Sequence, residues 1–192
     1  MNRTLGVLIS GRGSNLKAII DAIERKTLDA SIAIVISNRA DAPGLDHARQ
    51  AGIATLVISH KLYATRESYD RALIAELKKR NVELVCLAGF MRLLSPVFVG
   101  AYPNRILNIH PSLLPKYPGL HPQQQALDDG AAVSGATVHF VNKELDAGPV
   151  ILQQSVRVMP GDNAESLAAR ILEVEHQLYP RAIKHVLDGA AG

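Results

Sequence analysis

The chain has 192 residues, 47% of them hydrophobic and 20% charged, enough length and apolar content for one domain whose core needs no disulfide staple. Twenty-one Lys and Arg against 18 Asp and Glu leave a net charge of +3, scattered along the chain, and aromatic residues make up 4% with no Trp. That balance excludes disordered, collagen-like and coiled-coil classes, suits an anionic small substrate and falls short of a nucleic-acid footprint.

Leu5–Ser10 is an unbroken apolar run, the pattern of a strand buried on both faces, and Met1–Thr4 lead straight into it without a signal peptide. Gly11-Arg12-Gly13 ends that strand, and a helix opens at Ser14 or Asn15 and runs to Arg25. A second strand, Ser31–Ser37, is followed by the turn Asp41-Ala42-Pro43-Gly44, a short helix to Gln50 that Gly52 closes, and a third strand over Ile53–Ser59. Arg66–Arg80 carries Tyr69, Leu73, Ile74 and Leu77 at helical spacing, and Val82–Ala88 is a fourth buried strand. Its Cys86, the one cysteine, reads as a buried strand thiol rather than a nucleophile. Strand and helix alternating over short connections predict a mostly parallel sheet covered by helices.

The second half differs. Ile106–Ile109 is a strand that breaks into a loop holding Pro111, Pro115 and Pro118. A short helix over Pro122–Asp129, strands over Gly135–Val141 and Val150–Val158, and a helix from about Asn163 to Leu187 complete the chain, with Pro180 expected to kink or split the last helix. No repeat or low-complexity linker divides it, so a single domain is expected over residues 1–192. No apolar run approaches the ~18 residues of a membrane span, and a soluble cytoplasmic protein is expected.

Three groups of residues carry possible chemistry. Gly11-Arg12-Gly13-Ser14-Asn15 lies between a buried strand and a helix, where glycines allow close backbone approach and free amides face an anion. Leu16 stands where a dinucleotide fingerprint needs glycine, and the Walker pattern also fails, so the loop supports a phosphate or is an ordinary turn. On the strand at 106–109, Asn108 and His110 project to one face, and an amide donor beside an imidazole suits an oxyanion formed at a carbonyl carbon. Asp146, in the turn Leu145-Asp146-Ala147-Gly148-Pro149, is an acid able to approach His110 and favour a positive charge on it. His139 alternates with apolar neighbours and faces the cleft or caps the sheet, while His47, His60 and His185 read as surface or cap residues. His110, His121 and His139 lack a short-spaced ligand pair, so no metal is expected, and no Gly-x-Ser-x-Gly elbow is present.

These segments together resemble the glycinamide ribonucleotide formyltransferase family. The resemblance is carried by Ile9-Ser10-Gly11-Arg12-Gly13-Ser14-Asn15, Leu87-Ala88-Gly89-Phe90-Met91-Arg92, the run from Leu107 through Asn108, Ile109 and His110 to His121, and Leu145-Asp146-Ala147-Gly148-Pro149-Val150, in the family's order across almost the whole chain. It implies a Rossmann-like α/β fold, a mostly parallel twisted sheet with helices on both faces. The nucleotide-phosphate half would be about 1–100 and the folate and catalytic half about 101–192, with the folate entering between them. It implies transfer of a formyl group from 10-formyltetrahydrofolate, as donor cosubstrate, to the amine of phosphoribosylglycinamide in purine synthesis.

By position, Asn108, His110 and Asp146 would be catalytic, and Gly11, Arg12, Gly13, Ser14 and Asn15 would hold the ribonucleotide phosphate, with Glu175 facing the glycinamide end. Met91, Arg92, Leu93 and Leu94 would line the folate site with Asn108, Arg66 would meet the folate's acidic tail, and Val141, Asn142, Lys143, Glu144, Leu145 and Asp146 would flank the pterin. Without the resemblance, Arg66 and Arg92 read as solvated charges and Met91 and Leu94 as core. Partners would be small molecules, with no nucleic acid or membrane and a monomeric or homodimeric state. His121-Pro122-Gln123-Gln124-Gln125 departs from the family pattern, and the end at Ala190-Ala191-Gly192 is shorter than in many relatives. A 10-formyltetrahydrofolate hydrolase, a methionyl-tRNA formyltransferase and a non-catalytic nucleotide-binding module are the alternative readings.

Overall fold

The computed structural model describes residues 3–189; the chain's last three residues, and with them the expected shortened C-terminus, lie outside the described part, as do Met1 and Asn2. Seven strands form a mostly parallel sheet of the α/β class. The chain divides into two compact units between Leu107 and Asn108.

The first unit holds β1 (Thr4–Ile9), α1 (Ser14–Glu24), β2 (Ser31–Ser37), α2 (Gly44–Gln50), β3 (Thr55–Val57), α3 (Arg66–Lys79), β4 (Leu84–Leu87) and α4 (Pro96–Ala101). Its strands take the order β3-β2-β1-β4, all parallel. β1 lies between two partners, and Leu5, Val7, Leu8 and Ile9 are fully buried, which is why that run carries no polar alternation. Leu16 and Ile19 of α1 and Tyr69, Leu73 and Leu77 of α3 bury the faces that their spacing marks. Each such side chain contributes roughly 1.5–3 kcal/mol. Cys86 is buried in β4.

β5 (Ile106–His110) carries the chain from the first unit to the second, where α5 (Pro122–Asp128), β6 (Val133–Phe140), β7 (Val150–Arg157) and α6 (Ala164–Leu187) follow. The order there is β5-β6-β7, with β6 and β7 antiparallel, and α6 packs on both β6 and β7. Asn163 caps α6 in a reciprocal box with Ser166, a device whose loss typically costs ~1 kcal/mol. Arg170 holds both carboxylate oxygens of Asp162 in the preceding turn, at 2.7 and 2.9 Å.

Three expectations change. The third strand shrinks to Thr55–Val57 because β3 ends the order and pairs only with β2. The segment after it forms a single 3-10 turn over His60–Leu62, and α4 was not anticipated. α6 is not split at Pro180. The proline removes the donor for the carbonyl four residues earlier, yet Leu178, Tyr179, Ala182 and Ile183 are buried around it, and their packing keeps the helix continuous.

Candidate active site

The second unit brings three of the sequence-marked residues into one cluster and adds a fourth. Asn108 and His110 sit two apart on β5 and share a face, as the strand period requires. Asp146 reaches them from the turn between β6 and β7, and His139 from the end of β6. His110 Nδ1 lies 3.5 Å from Asp146 Oδ2, and His139 Nε2 lies 3.9 Å from Asp146 Oδ1. Asn108 Nδ2 is 3.3 Å from His139 Nε2. His110 Nε2 is 2.9 Å from the Tyr117 carbonyl oxygen, which only accepts, so that nitrogen carries a hydrogen. Both ring nitrogens of His110 therefore face oxygen. His110 and His139 are buried and Asn108 is half-buried.

Side-chain and backbone hydrogen bonds together fix the backbone around the cluster. Asp146 adopts the left-handed region at φ 50°, where a short polar side chain is among the few tolerated, and its Oδ2 accepts the Gly119 N–H at 2.9 Å. The turn that carries it closes where Phe140 N–H donates to the Pro149 carbonyl at 2.9 Å. Gly148 is packed there so closely that a Cβ would collide with the Phe140 carbonyl. The proline-rich loop after His110 is clamped from below. Thr137 Oγ1 donates to the Ser112 carbonyl at 2.7 Å and accepts from Leu114 N–H at 3.0 Å and from Gln153 Nε2 at 2.8 Å.

Burial holds the pKa of His139 below the ordinary histidine value, and the charge of a nearby His110 adds to the shift; the Phe140 carbonyl and Asp146 oppose it. Among the described residues, no group of three or more His, Cys, Asp or Glu is arranged to hold a metal ion. The arrangement offers an amide donor and an imidazole with a carboxylate behind it. Such an arrangement can stabilise charge on a polarised oxygen.

His139 is the member that sequence reading left undecided. Strand alternation puts it on the face of Thr137, but β6 and β7 shift register between Val138 and His139, and such irregularities re-aim side chains beside sites. No local sequence signal marks that shift.

In the first unit, the glycine loop joins β1 to α1. Gly13, at φ 70°, is the left-handed residue before α1 and gives the helix no side-chain cap. A Cβ there would lie 2.6 Å from Gly44 Cα, whereas one at Gly11 would meet nothing within 4 Å. Gly44 N–H donates to the Gly11 carbonyl at 3.0 Å, tying the loop to the start of α2. Arg12 is exposed, Ser14 half-buried and Asn15 buried.

Met91 and Leu93 are 75% and 60% exposed, so Met91 is not core. Leu94 is half-buried, and Arg92 and Arg66 are exposed. The Met91 N–H donates to Ser10 Oγ at 2.8 Å, Ser10 donates to Asn38 Oδ1 at 2.6 Å, and Asn38 Nδ2 is 3.3 Å from His60 Nδ1. His60 thus has an inner partner and is more than a surface residue. In the second unit, Val141 and Asn142 are half-buried, Lys143, Glu144 and Leu145 exposed, and Glu175 buried in α6.

The chain matches the sequence model of the formyl transferase family over residues 3–183. It is 54% identical to the phosphoribosylglycinamide formyltransferase of Escherichia coli, over 95% of this chain and 86% of that one. It is 51% identical to the trifunctional purine biosynthetic protein adenosine-3 of Drosophila melanogaster, spanning 98% of this chain but 14% of that much longer protein. Glycinamide ribonucleotide transformylase 1 from Symbiobacterium toebii superposes with a TM-score of 0.95 at 50% identity, over 97% of this chain and 88% of that one.

Proposed function

The chain belongs to the formyl transferase family, and from that premise we propose that it moves the formyl group of 10-formyltetrahydrofolate to the amine of N1-(5-phosphoribosyl)glycinamide. The products are the N-formyl compound and tetrahydrofolate, a step of purine biosynthesis, and this agrees with the names of relatives similar over most of their length. The setting is cytoplasmic and the enzyme acts on small molecules as a monomer or homodimer. Residues of about 1–100 serve the ribonucleotide phosphate through Gly11, Arg12, Gly13, Ser14 and Asn15. Residues of about 101–192 serve the chemistry, with Glu175 toward the glycinamide. Met91, Arg92, Leu93, Leu94, Arg66, Asn108 and residues 141–146 take the folate.

The observation that carries this reading is the meeting of Asn108, His110 and Asp146 in one cluster with His139. The neutral amine attacks the formyl carbon, forming a C–N bond while the carbonyl electron pair moves onto the formyl oxygen. Asn108 Nδ2–H donates to that oxygen, and His110, with Asp146 facing its other nitrogen, exchanges the Tyr117 carbonyl for it. When the carbonyl re-forms, the bond to the folate nitrogen breaks and the amine's proton passes to that nitrogen. Loss of one oxyanion donor typically lowers kcat by about 100- to 1,000-fold. Asn108→Ala, His110→Ala and Asp146→Ala should each fall steeply in turnover while remaining folded by circular dichroism. Near-normal turnover in all three would sink the assignment.

A further inference from the structure

We infer that His139 fixes which end of the Asn108 carboxamide faces the reacting carbonyl, making His139 a positioning residue of the reaction.

The two ends of an asparagine amide are nearly the same size, so packing alone does not choose between them. The choice matters here. An N–H directed at the formyl oxygen stabilises developing negative charge, and a carbonyl oxygen in its place repels it. His139 decides through a chain of single-role contacts. Its side chain is 2% exposed, and its Nδ1 lies 3.0 Å from the Phe140 carbonyl oxygen. That oxygen only accepts, so Nδ1 carries the hydrogen. Desolvation favours the neutral ring, which leaves Nε2 with a bare lone pair. A bare nitrogen accepts, and the atom 3.3 Å from it must therefore be the Asn108 nitrogen. Nδ2 has two hydrogens; one goes to His139, and the other has no partner among the described residues.

Besides Asn108, the groups facing the ring are Asp146, with Oδ1 3.9 Å from Nε2, and His110, whose charge disfavours a second proton on His139. A second proton would place an N–H donor against the Asn108 amino group. The amide would then turn, bringing Oδ1 to the ring and withdrawing the donor from the site. The consequence for rate rests on the formyl-transfer reading. The orientation itself belongs to the ligand-free protein and can be read without any reaction.

The test combines a spectrum with a substitution series. Nitrogen-15 NMR of uniformly labelled protein, with His139 assigned through loss of its signals in His139→Gln, should show a neutral ring protonated at Nδ1 at pH 7.5. An Nε2–H tautomer, or a doubly protonated ring, overturns the proposal. In the assay, His139→Ala should lose about 10- to 100-fold in kcat, the scale of a misplaced catalytic group, with KM for both substrates changed less than about twofold. His139→Gln, whose Oε1 can take the place of Nε2 as acceptor, should recover most of that kcat. A folded His139→Ala with unchanged kcat overturns it, as does a loss that appears in KM alone. If His139→Ala fails to fold, the spectrum of the unsubstituted protein decides. If no formyl transfer is seen in any form, the function reading fails while the tautomer still reports on the orientation.

Discussion

Gly148 is the position where one added carbon should separate Asp146 from its partners. Its Cα faces the Phe140 carbonyl so closely that a Cβ would overlap the oxygen and lie 2.8 Å from the carbonyl carbon, with the Asn142 nitrogen at 3.5 Å. Non-bonded carbon neighbours rest at ~3.5 Å, so the strands flanking the turn must part by roughly 1 Å or more in Gly148→Ala. That separation strains the Phe140 N–H to Pro149 carbonyl bond, 2.9 Å long, which closes the turn. Asp146 is two residues away, held 2.9 Å from the Gly119 N–H and 3.5 Å from His110. Overpacking of this kind costs about 1–3 kcal/mol of stability, and a displacement of about 1 Å at a catalytic group costs on the order of 100-fold in rate. Urea denaturation followed by circular dichroism measures the first, and steady-state kinetics at saturating substrates the second. A Gly148→Ala protein as stable as the parent and within twofold of its kcat would refute this steric argument.

Other perturbations have definite signs. Asp70 is buried on α3 with its pKa raised by that burial, and it accepts the Ser95 N–H that opens α4 at 2.6 Å. Asp70→Asn keeps an acceptor and should change stability by less than about 1 kcal/mol at pH 7, whereas Asp70→Leu orphans the Ser95 N–H and should cost about 1–3 kcal/mol. Equal midpoints in urea would contradict this. Thr137→Val removes one donor and one double acceptor from the clamp on Ser112 and Leu114, so hydrogen exchange across residues 112–121 should quicken; an unchanged exchange pattern would show that the clamp is not holding the loop. His139 and His176 have pKa values held below the ordinary 6.5 chiefly by burial. The unfolded chain then binds more protons on the acid side, so their contribution to stability is whole above pH 6.5 and is lost as pH falls toward the depressed values. Denaturation midpoints at pH 8, 6.5 and 5 should decline, and His139→Gln should flatten the decline; identical slopes would be the contrary result.

Sequence periodicity located most of the fold because the parallel strands are buried on both faces and leave unbroken apolar runs. Ser31–Ser37 matches β2 residue for residue. Where tertiary contacts set the outcome, pattern reading stopped short. α4 is six residues long, Ser95 makes no side-chain cap, and the helix depends on the Asp70 carboxylate and on buried Phe98. Ser95 before Pro96 at the first turn was the available signal. Pro180 illustrates the converse: local chemistry argues for a break, and packing on the buried face of α6 overrides it.

The site shows the same division. The two-residue period puts Asn108 and His110 on one face, and the turn chemistry around Asp146 marks a place for an acid. Which side chains meet across the strands depends on register, and the shift at His139 has no local signature. The Tyr117 carbonyl on His110 Nε2 was equally unreadable, since a backbone oxygen has no residue identity to notice.

Acceptor-dependent formyl transfer is followed by folate absorbance. The protein is mixed with 10-formyltetrahydrofolate with and without phosphoribosylglycinamide, alongside His110→Ala. Tetrahydrofolate should form only when the glycinamide is present, and its formation should nearly vanish in the variant. Formate release without acceptor, or no reaction by a folded protein under either condition, would contradict it.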